Sequence, residues 1–369
     1  MMFASLAPGR TRSPARGLAC GTGLGSPRGL AALTPGRIRT PERARVRKEV
    51  GRISPVGLSA PAAPLQEIGY LPRDRRFAKL ANSLRWEARY MDASSLIRIA
   101  HSPDPDDAFM FYALVQGKIP TEGFRFEHVL KDIESLNRSA MDGEYELTAL
   151  SFHAYAYVAD RYVLLTSGAS MGEGYGPLLV AREALTVDDL PQARIAVPGM
   201  LTTAFLVLRL IVPDIRYTVV PFNRIPEYVA KGQADAGLLI HEGQLTYPTL
   251  GLRKVLDLGQ WWFERTGLPL PLGGNAVRRD LGMDVCRALA GLLKQSITYA
   301  LTHREEALAY ALQFGRGLDV TSADRFVRMY VNELTLECGE RGKAAIRQLL
   351  QMGYERGVLP RSVSIEFVE

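Results

Sequence analysis

From Ile97 onward, short apolar runs alternate with segments in which apolar residues recur every three or four positions. The first pattern is that of a strand and the second that of an amphipathic helix. Residues 97–101 read as a strand, 106–117 as a helix, 124–130 as a strand, 133–141 as a helix, 147–150 as a short buried strand and 152–158 as a helix. This βαβα rhythm predicts a parallel-dominated sheet covered by helices. Two further strands, 162–166 and 177–181, flank a glycine-rich loop.

Near 182–190 the rhythm restarts, with strands at 194–198, 217–220 and 236–240 and helices at 203–211 and near 226–231. From Gly282 only helical patterns follow, at 285–302, 304–314, 322–332 and 339–356, and these are expected to pack largely on the first unit. The expectation is an α/β chain with two lobes and a ligand cleft between them. Residues 91–181 with 270–369 would form one lobe and 182–269 the other. No internal repeat of solenoid period is present.

Charge changes the picture at the N-terminus. Residues 1–90 hold 17 Lys and Arg against 5 Asp and Glu, leaving 28 against 34 for the rest. The net +6 of the chain therefore comes from an extension of +12 ahead of a folded part of −6. An acidic folded part argues against a nucleic-acid-binding face. The extension carries 9 Pro and 10 Gly and has no acid before Glu42, a composition that buries too little apolar surface to order a backbone. It resembles an organelle transit peptide, although it lacks amphipathic periodicity; the plainer expectation is that translation begins at Met91, directly before the first strand.

Cys20, Cys286 and Cys338 form no CxxC pair, which excludes a disulfide scaffold and the usual zinc frameworks and suits a reducing compartment. No run reaches the roughly 18 apolar residues of a membrane helix, and the N-terminus lacks a continuous apolar core of a secretion signal. The expected location is cytoplasmic, with no membrane and no nucleic-acid partner. Nothing in the pattern sets an oligomeric state.

Several candidates for chemistry stand at the ends of these strands. Gly168-Ala-Ser-Met-Gly172 matches a nucleophile elbow, but the loop runs through Gly174, Gly176 and Pro177 into another strand, so a catalytic Ser170 is not expected. The same glycines make a poor dinucleotide fingerprint, and neither a P-loop nor an HExxH string occurs. Asp104, Asp106 and Asp107 follow the first strand as a carboxylate cluster that could hold a cation. Helix capping explains Asp106 and Asp107, whereas Asp104 sits in the strand-to-helix loop where open α/β sheets place ligands.

Ser151, Thr202 and Thr203 each open a helix and are explained by capping. Facing each other, those two helix starts would suit a carboxylate. His241 closes the apolar run 236–240, placing an imidazole at the carboxyl end of a buried strand. His101 and His153 hold comparable positions with weaker claims. Trp261, Trp262 and the segment 268–272 read as core and linker.

Ser102-Pro-x-Pro-x-Asp107, Asp132-Ile-Glu-Ser-Leu-Asn137, Leu150-Ser-Phe-His-Ala-Tyr155, Gly174-x-Gly-Pro-Leu-Leu-Val180, Ala196-Val-Pro-Gly199 with Thr202-Thr203, Leu239-Ile-His-Glu242 and Gly267-Leu-Pro-Leu-Pro-Leu-Gly273 together resemble the 1,4-dihydroxy-6-naphthoate synthase family of menaquinone biosynthesis by the futalosine pathway. The likeness runs in order from about Ile97 to the C-terminus. It implies a two-lobed periplasmic-binding-protein-like fold of type II. It also implies a cofactor-independent lyase that cleaves cyclic dehypoxanthinyl futalosine, a small-molecule carboxylate, to 1,4-dihydroxy-6-naphthoate. The resemblance carries the catalytic base to His241 and substrate binding to Ala149, Leu150, Ser151, Thr202 and Thr203; Ser102 and Asp104 complete the expected cleft, and no metal ligand is expected.

The chain departs from the family at the first motif, where Ser-Pro-Cys-Pro-Asn-Asp-Thr is usual and Asp104, Asp106 and Ala108 stand here, and at Ala149, where Lys is common. Added carboxylates and a lost cation are expected to disfavour an anionic ligand by like-charge repulsion. The alternative is a non-catalytic solute-binding or sensor protein on the same fold, which would bind without turnover. A chorismate dehydratase of the same pathway fits the His-Glu element less well.

Overall fold

The computed structural model describes residues 96–368. The extension 1–90, the start at Met91 and Cys20 lie outside them. Among these described residues, twelve strands fall in two sheets. The first contains β1 (Leu96–His101), β2 (Arg125–Leu130), β3 (Leu147–Ser151), β4 (Tyr162–Leu165) and β5 (Ser170–Gly172), and the second opens with β6 (Leu178–Ala181). The second sheet continues with β7 (Arg194–Val197), β8 (Arg216–Val219), β9 (Ala236–Leu239) and β10 (Arg253–Asp257); the chain then returns to the first with β11 (Leu270–Arg278) and β12 (Phe367–Val368).

The first sheet has the order β12-β4-β11-β3-β1-β2, with β5 on β11, and the second β10-β6-β9-β7-β8. Strand β1 runs parallel to β2 and β3, and β7 parallel to β8 and β9. Against the parallel-dominated expectation, both sheets are mixed: β11 is antiparallel to β3, β4 and β5, and β6 is antiparallel to β9 and β10. The sequence reading missed β11 because Pro271, Gly273 and Gly274 look like strand breakers. In the fold these glycines admit neighbours: a Cβ on Gly273 would lie 3.2 Å from the Leu150 carbonyl oxygen, and one on Gly274 3.1 Å from the Phe152 ring. The final strand β12, parallel to β4, corrects the expectation of helices alone after Gly282.

Strands β3, β6 and β9 are buried along their whole length, which is why they read as continuous apolar runs rather than alternating ones. The Pro105–Val115 helix is apolar all round after its acidic first turn and is buried from Pro105 to Leu114. It packs against the Met283–Thr302 and Arg304–Ala311 helices, where the Ser296 hydroxyl donates 2.7 Å to the Met110 carbonyl. The Gly339–Glu355 helix packs on β11 and on the Phe152–Val158 and Thr203–Ile211 helices. One apolar cluster runs continuously from Leu150 and Phe152 to Leu179, Val197 and Trp262, joining the two sheets. Among the described residues no helix is long and apolar enough to cross a membrane.

The chain passes from the first sheet to the second between Gly172 and Leu178 and returns between Asp257 and Leu270. These two passages touch, with Leu258 N–H donating 3.0 Å to the Pro177 carbonyl. A Cβ on Gly259 would fall 1.9 Å from the Tyr175 oxygen, so only glycine fits there. The expected linker is instead the Leu258–Thr266 helix followed by β11. Within it Trp262 is fully buried and its indole N–H donates 3.0 Å to the Pro269 carbonyl, while Trp261 is partly exposed beneath the Arg265 guanidinium. Trp262→Ala is expected to cost about 3–5 kcal/mol of unfolding free energy in chemical denaturation, and Trp261→Ala under about 1 kcal/mol. Equal losses would show that the two rings are not divided between core and surface in this way.

Candidate active site

One cavity of about 100 Å³ lies where the carboxyl ends of β1, β3 and β9 converge with the start of the Thr203–Ile211 helix. Its wall contains His241, Ala149, Leu150, Ser151, Thr202, Thr203, Ser102 and Asp104, so all eight residues singled out in the sequence meet there. Brought in beside them are Asp106, Asp107, Ser170, Gln244, Asn275, Phe326 and Tyr330. Gln244 and Asn275 stood within or beside quoted motifs, but no pattern in the sequence marked Phe326 or Tyr330.

The β1-to-helix loop builds one wall. Asp104 caps the Pro105–Val115 helix, its Oδ1 accepting from Asp107 N–H at 3.2 Å, while Asp107 Oδ2 accepts from Ser102 N–H at 2.7 Å. The other oxygen of Asp104, Oδ2, lies 2.8 Å from His241 Nδ1. Asp104 is 1% exposed and the His241 side chain 15%. The imidazole is thus oriented by a carboxylate on one nitrogen, while Nε2 has no partner among the described residues. The Phe222 ring meets its edge, with centroids 4.9 Å apart.

Electrostatics divides the three carboxylates. Burial alone would raise Asp104, but the charge and hydrogen bond of His241 hold it far below the usual carboxylate range. Burial alone would lower His241, and Asp104 outweighs that and raises it. Burial, with the charges of Asp104 and Asp107, pushes Asp106 well up, and burial and Asp104 push Asp107 up to about 8. The expected repulsion of an anionic ligand is therefore weakened: one acid is paired with an imidazole and the other two are pushed towards their neutral forms. Asp104, Asp106 and His241 each bring one donor atom within 4.8 Å of the others, a spacing a metal could use. Because Asp104 and His241 already satisfy one another, we read the group as a proton-holding cluster.

The second wall joins the sheets. Ser151 precedes the Phe152–Val158 helix but does not cap it; its N–H donates 2.9 Å to Asn137 Oδ1 and its hydroxyl accepts 3.0 Å from Asn137 Nδ2. Asn137 clamps the end of β3, which corrects the capping explanation. Thr202 does cap its helix, accepting from Phe205 N–H at 3.2 Å. Thr203 uses its hydroxyl across the sheets, donating to the Leu272 carbonyl and accepting 3.3 Å from His153 N–H. The two helix starts therefore face one another.

Two weaker candidates fall away. His101 Nδ1 contacts the Ser102 carbonyl at 3.1 Å and its ring stacks on Phe111, and His153 Nδ1 contacts the Thr202 carbonyl at 3.2 Å. Burial lowers both to about 4, and neither lines the cavity. Ser170 opens a strand, and its hydroxyl lies 3.4 Å from Asp106 Oδ2 rather than on an imidazole. At the rim, Arg316 donates to both Glu242 oxygens at 3.1 and 3.2 Å and to the Pro103 carbonyl at 2.7 Å, and lies over the Phe222 ring.

Comparison with known proteins adds a family to this geometry. A family model described as menaquinone biosynthesis matches residues 97–355. The chain is 46% identical to the 1,4-dihydroxy-6-naphthoate synthase of Thermus thermophilus over 74% of this chain and 99% of that one. It is 37% identical to that of Streptomyces coelicolor over 73% and 96%. A crystal structure of an Archaeoglobus fulgidus protein superposes with a TM-score of 0.69 at 49% identity, covering 72% of this chain and 99% of that one. The alkanesulfonate-binding protein SsuA of Xanthomonas axonopodis, at 16% identity and a TM-score of 0.55 over 73% and 96% of the chains, shares the fold alone.

The Asp104–His241 pair has a direct spectroscopic consequence. In an NMR titration the His241 ring is expected to protonate above the ordinary imidazole value, and Asp104→Asn to move that midpoint down. A midpoint unmoved by the substitution would show that Asp104 does not hold the proton on this ring.

Proposed function

Because the chain belongs to the menaquinone-biosynthesis family, we propose that it is itself a 1,4-dihydroxy-6-naphthoate synthase, a lyase acting on the small-molecule carboxylate cyclic dehypoxanthinyl futalosine. The observation that carries the site assignment is the Asp104–His241 pair, with a free Nε2 in the wall of the same cavity that holds the start of the Thr203–Ile211 helix. His241 Nε2 takes a proton from the substrate as the carbon skeleton is cleaved. Asp104 fixes the ring's orientation and stabilises the imidazolium that forms. The first N–H groups of the Thr203–Ile211 helix, with the helix dipole, suit the substrate carboxylate.

The cavity is small beside the roughly 300 to 1,000 Å³ of typical ligand sites. We infer that the two sheets belong to two lobes that part to admit the substrate and close around it. Ala149, Leu150 and Ser151 bind from the first lobe and Thr202 and Thr203 from the second, with Ser102 and Asp104 completing the floor. Closure would exclude water from the base.

The test is naphthoate formation by the purified full-length chain from cyclic dehypoxanthinyl futalosine, followed by chromatography. His241→Ala is expected to lower kcat by about 10²–10⁴. A fully active variant would remove His241 as the base, and saturable binding without product would move the chain to a solute-binding role. The base works unprotonated, so the rate is present above the raised His241 value and lost as pH falls through it. Asp104→Asn is expected to move that acid limb to lower pH; a limb that stays in place would detach it from His241.

A further inference from the structure

The loop between β1 and the Pro105–Val115 helix places Asp104, Asp106 and Asp107 in one wall, each more than nine-tenths buried. Among the described residues no Lys or Arg forms an ion pair with any of them. Arg316, at the rim, holds Glu242 and the Pro103 carbonyl instead. Asp104 is engaged by His241 and Asp107 by the Ser102 N–H. Asp106 differs: its carboxyl hydrogen-bonds with that of Asp104 and its Oδ2 receives a 3.4 Å contact from the Ser170 hydroxyl, while its Oδ1 is buried without a partner in the cavity wall and is the oxygen left free to carry a proton towards a ligand.

The groups that face Asp106 decide its charge. They are Asp104 and Asp107 from its own segment, the His241 imidazole from the end of β9, the Ser170 hydroxyl from β5 and the Tyr330 phenol from the Val320–Tyr330 helix. The imidazole is held by Asp104, and the Tyr330 hydroxyl donates 2.8 Å to Gln244 Oε1. An ionised Asp106 would be a second buried anion beside Asp104 without a cation of its own, an arrangement that desolvation strongly opposes. We propose that Asp106 meets the substrate as a neutral carboxylic acid whose hydroxyl donates a hydrogen bond to the substrate oxygen that gains negative charge as His241 removes a proton. This role rests on the lyase reaction assigned above.

The step balances without a further reagent. The proton leaves the substrate for His241 Nε2, the electron pair it leaves behind moves onto a carbonyl oxygen, and Asp106 keeps its own proton while donating to that oxygen. A donor fixed in a dry site before the charge develops strengthens as it does, which lowers the barrier rather than merely tightening binding. Burial and the two neighbouring carboxylates raise the Asp106 carboxyl well above its ordinary range, which favours the form that can donate. Asp104 and Asp106 thus take opposite protonation states two residues apart.

The experiment compares wild type, Asp106→Asn and Asp106→Leu as full-length chains with matched melting temperatures. Asn keeps an N–H donor at this place and Leu keeps only the bulk. Asp106→Leu is expected to lower kcat by about 10²–10³ with KM little changed, and Asp106→Asn to recover most of that loss. The infrared difference spectrum between wild type and Asp106→Asn at neutral pH is expected to show the C=O stretch of a protonated carboxyl group. An ionised Asp106 in that spectrum, or a kcat for Asp106→Leu within a few-fold of wild type, overturns the role. So does an Asn variant as slow as the Leu variant. No naphthoate from folded wild type overturns the reaction itself and this role with it, whereas equal product from wild type and Asp106→Leu overturns the role alone.

Discussion

The site depends on one buried contact, the 2.8 Å approach of Asp104 Oδ2 to His241 Nδ1. Asp104 lies in the loop after β1 of the first sheet, and His241 at the end of β9 of the second, so the pair fixes chemistry and architecture together. Removing either partner leaves the other a buried polar group without its counterion, which costs far more than the net worth of the pair. The local backbone is shaped to it. His241, just past the end of β9, has φ +52°, a left-handed conformation uncommon outside glycine.

The residue after the imidazole is held from the other side. Glu242 accepts from Arg316, whose own φ is +44°, and the same guanidinium reaches the carbonyl of Pro103, next to Asp104. Both ends of the Asp104–His241 contact are therefore tied to one arginine that also lies over Phe222, itself against the imidazole edge. Two strained residues at one rim, each with charged or hydrogen-bonded partners, are the kind of local cost that packing elsewhere must offset.

Much of this was legible in the sequence because general rules apply to it. Helix starts and the carboxyl ends of strands are where open α/β sheets gather ligands, and Ser151, Thr203, Asp104 and His241 stand at such places in the sequence. The elements that escaped did so for physical reasons. Strand β11 contains Pro and Gly because β3 and Phe152 approach it closely, so the residues that make it possible disguise it. Ser151 looked like a cap because its position is that of a cap, yet Asn137, fourteen residues earlier, takes its hydrogen bonds. Tyr330 enters the cavity from a helix whose pattern reports only its packed face.

Counting acids in the first motif suggested a site hostile to an anion, and the structure shows why counting was insufficient. A carboxylate contributes charge only in the state its surroundings permit. Asp104, beside an imidazole and at a helix start, is held ionised; Asp106, beside Asp104 and in a wall without a cation, is pushed towards its neutral form. The same side chain thus supplies a counterion at one position and a hydrogen-bond donor two residues later. Two titratable groups driven apart by their environments can serve as base-side and acid-side elements of one reaction. Once Asp104 is paired with an imidazolium, the group carries less negative charge than its three carboxyls imply, and an anion placed at the opposite helix start would meet a dipole rather than a field of like charge.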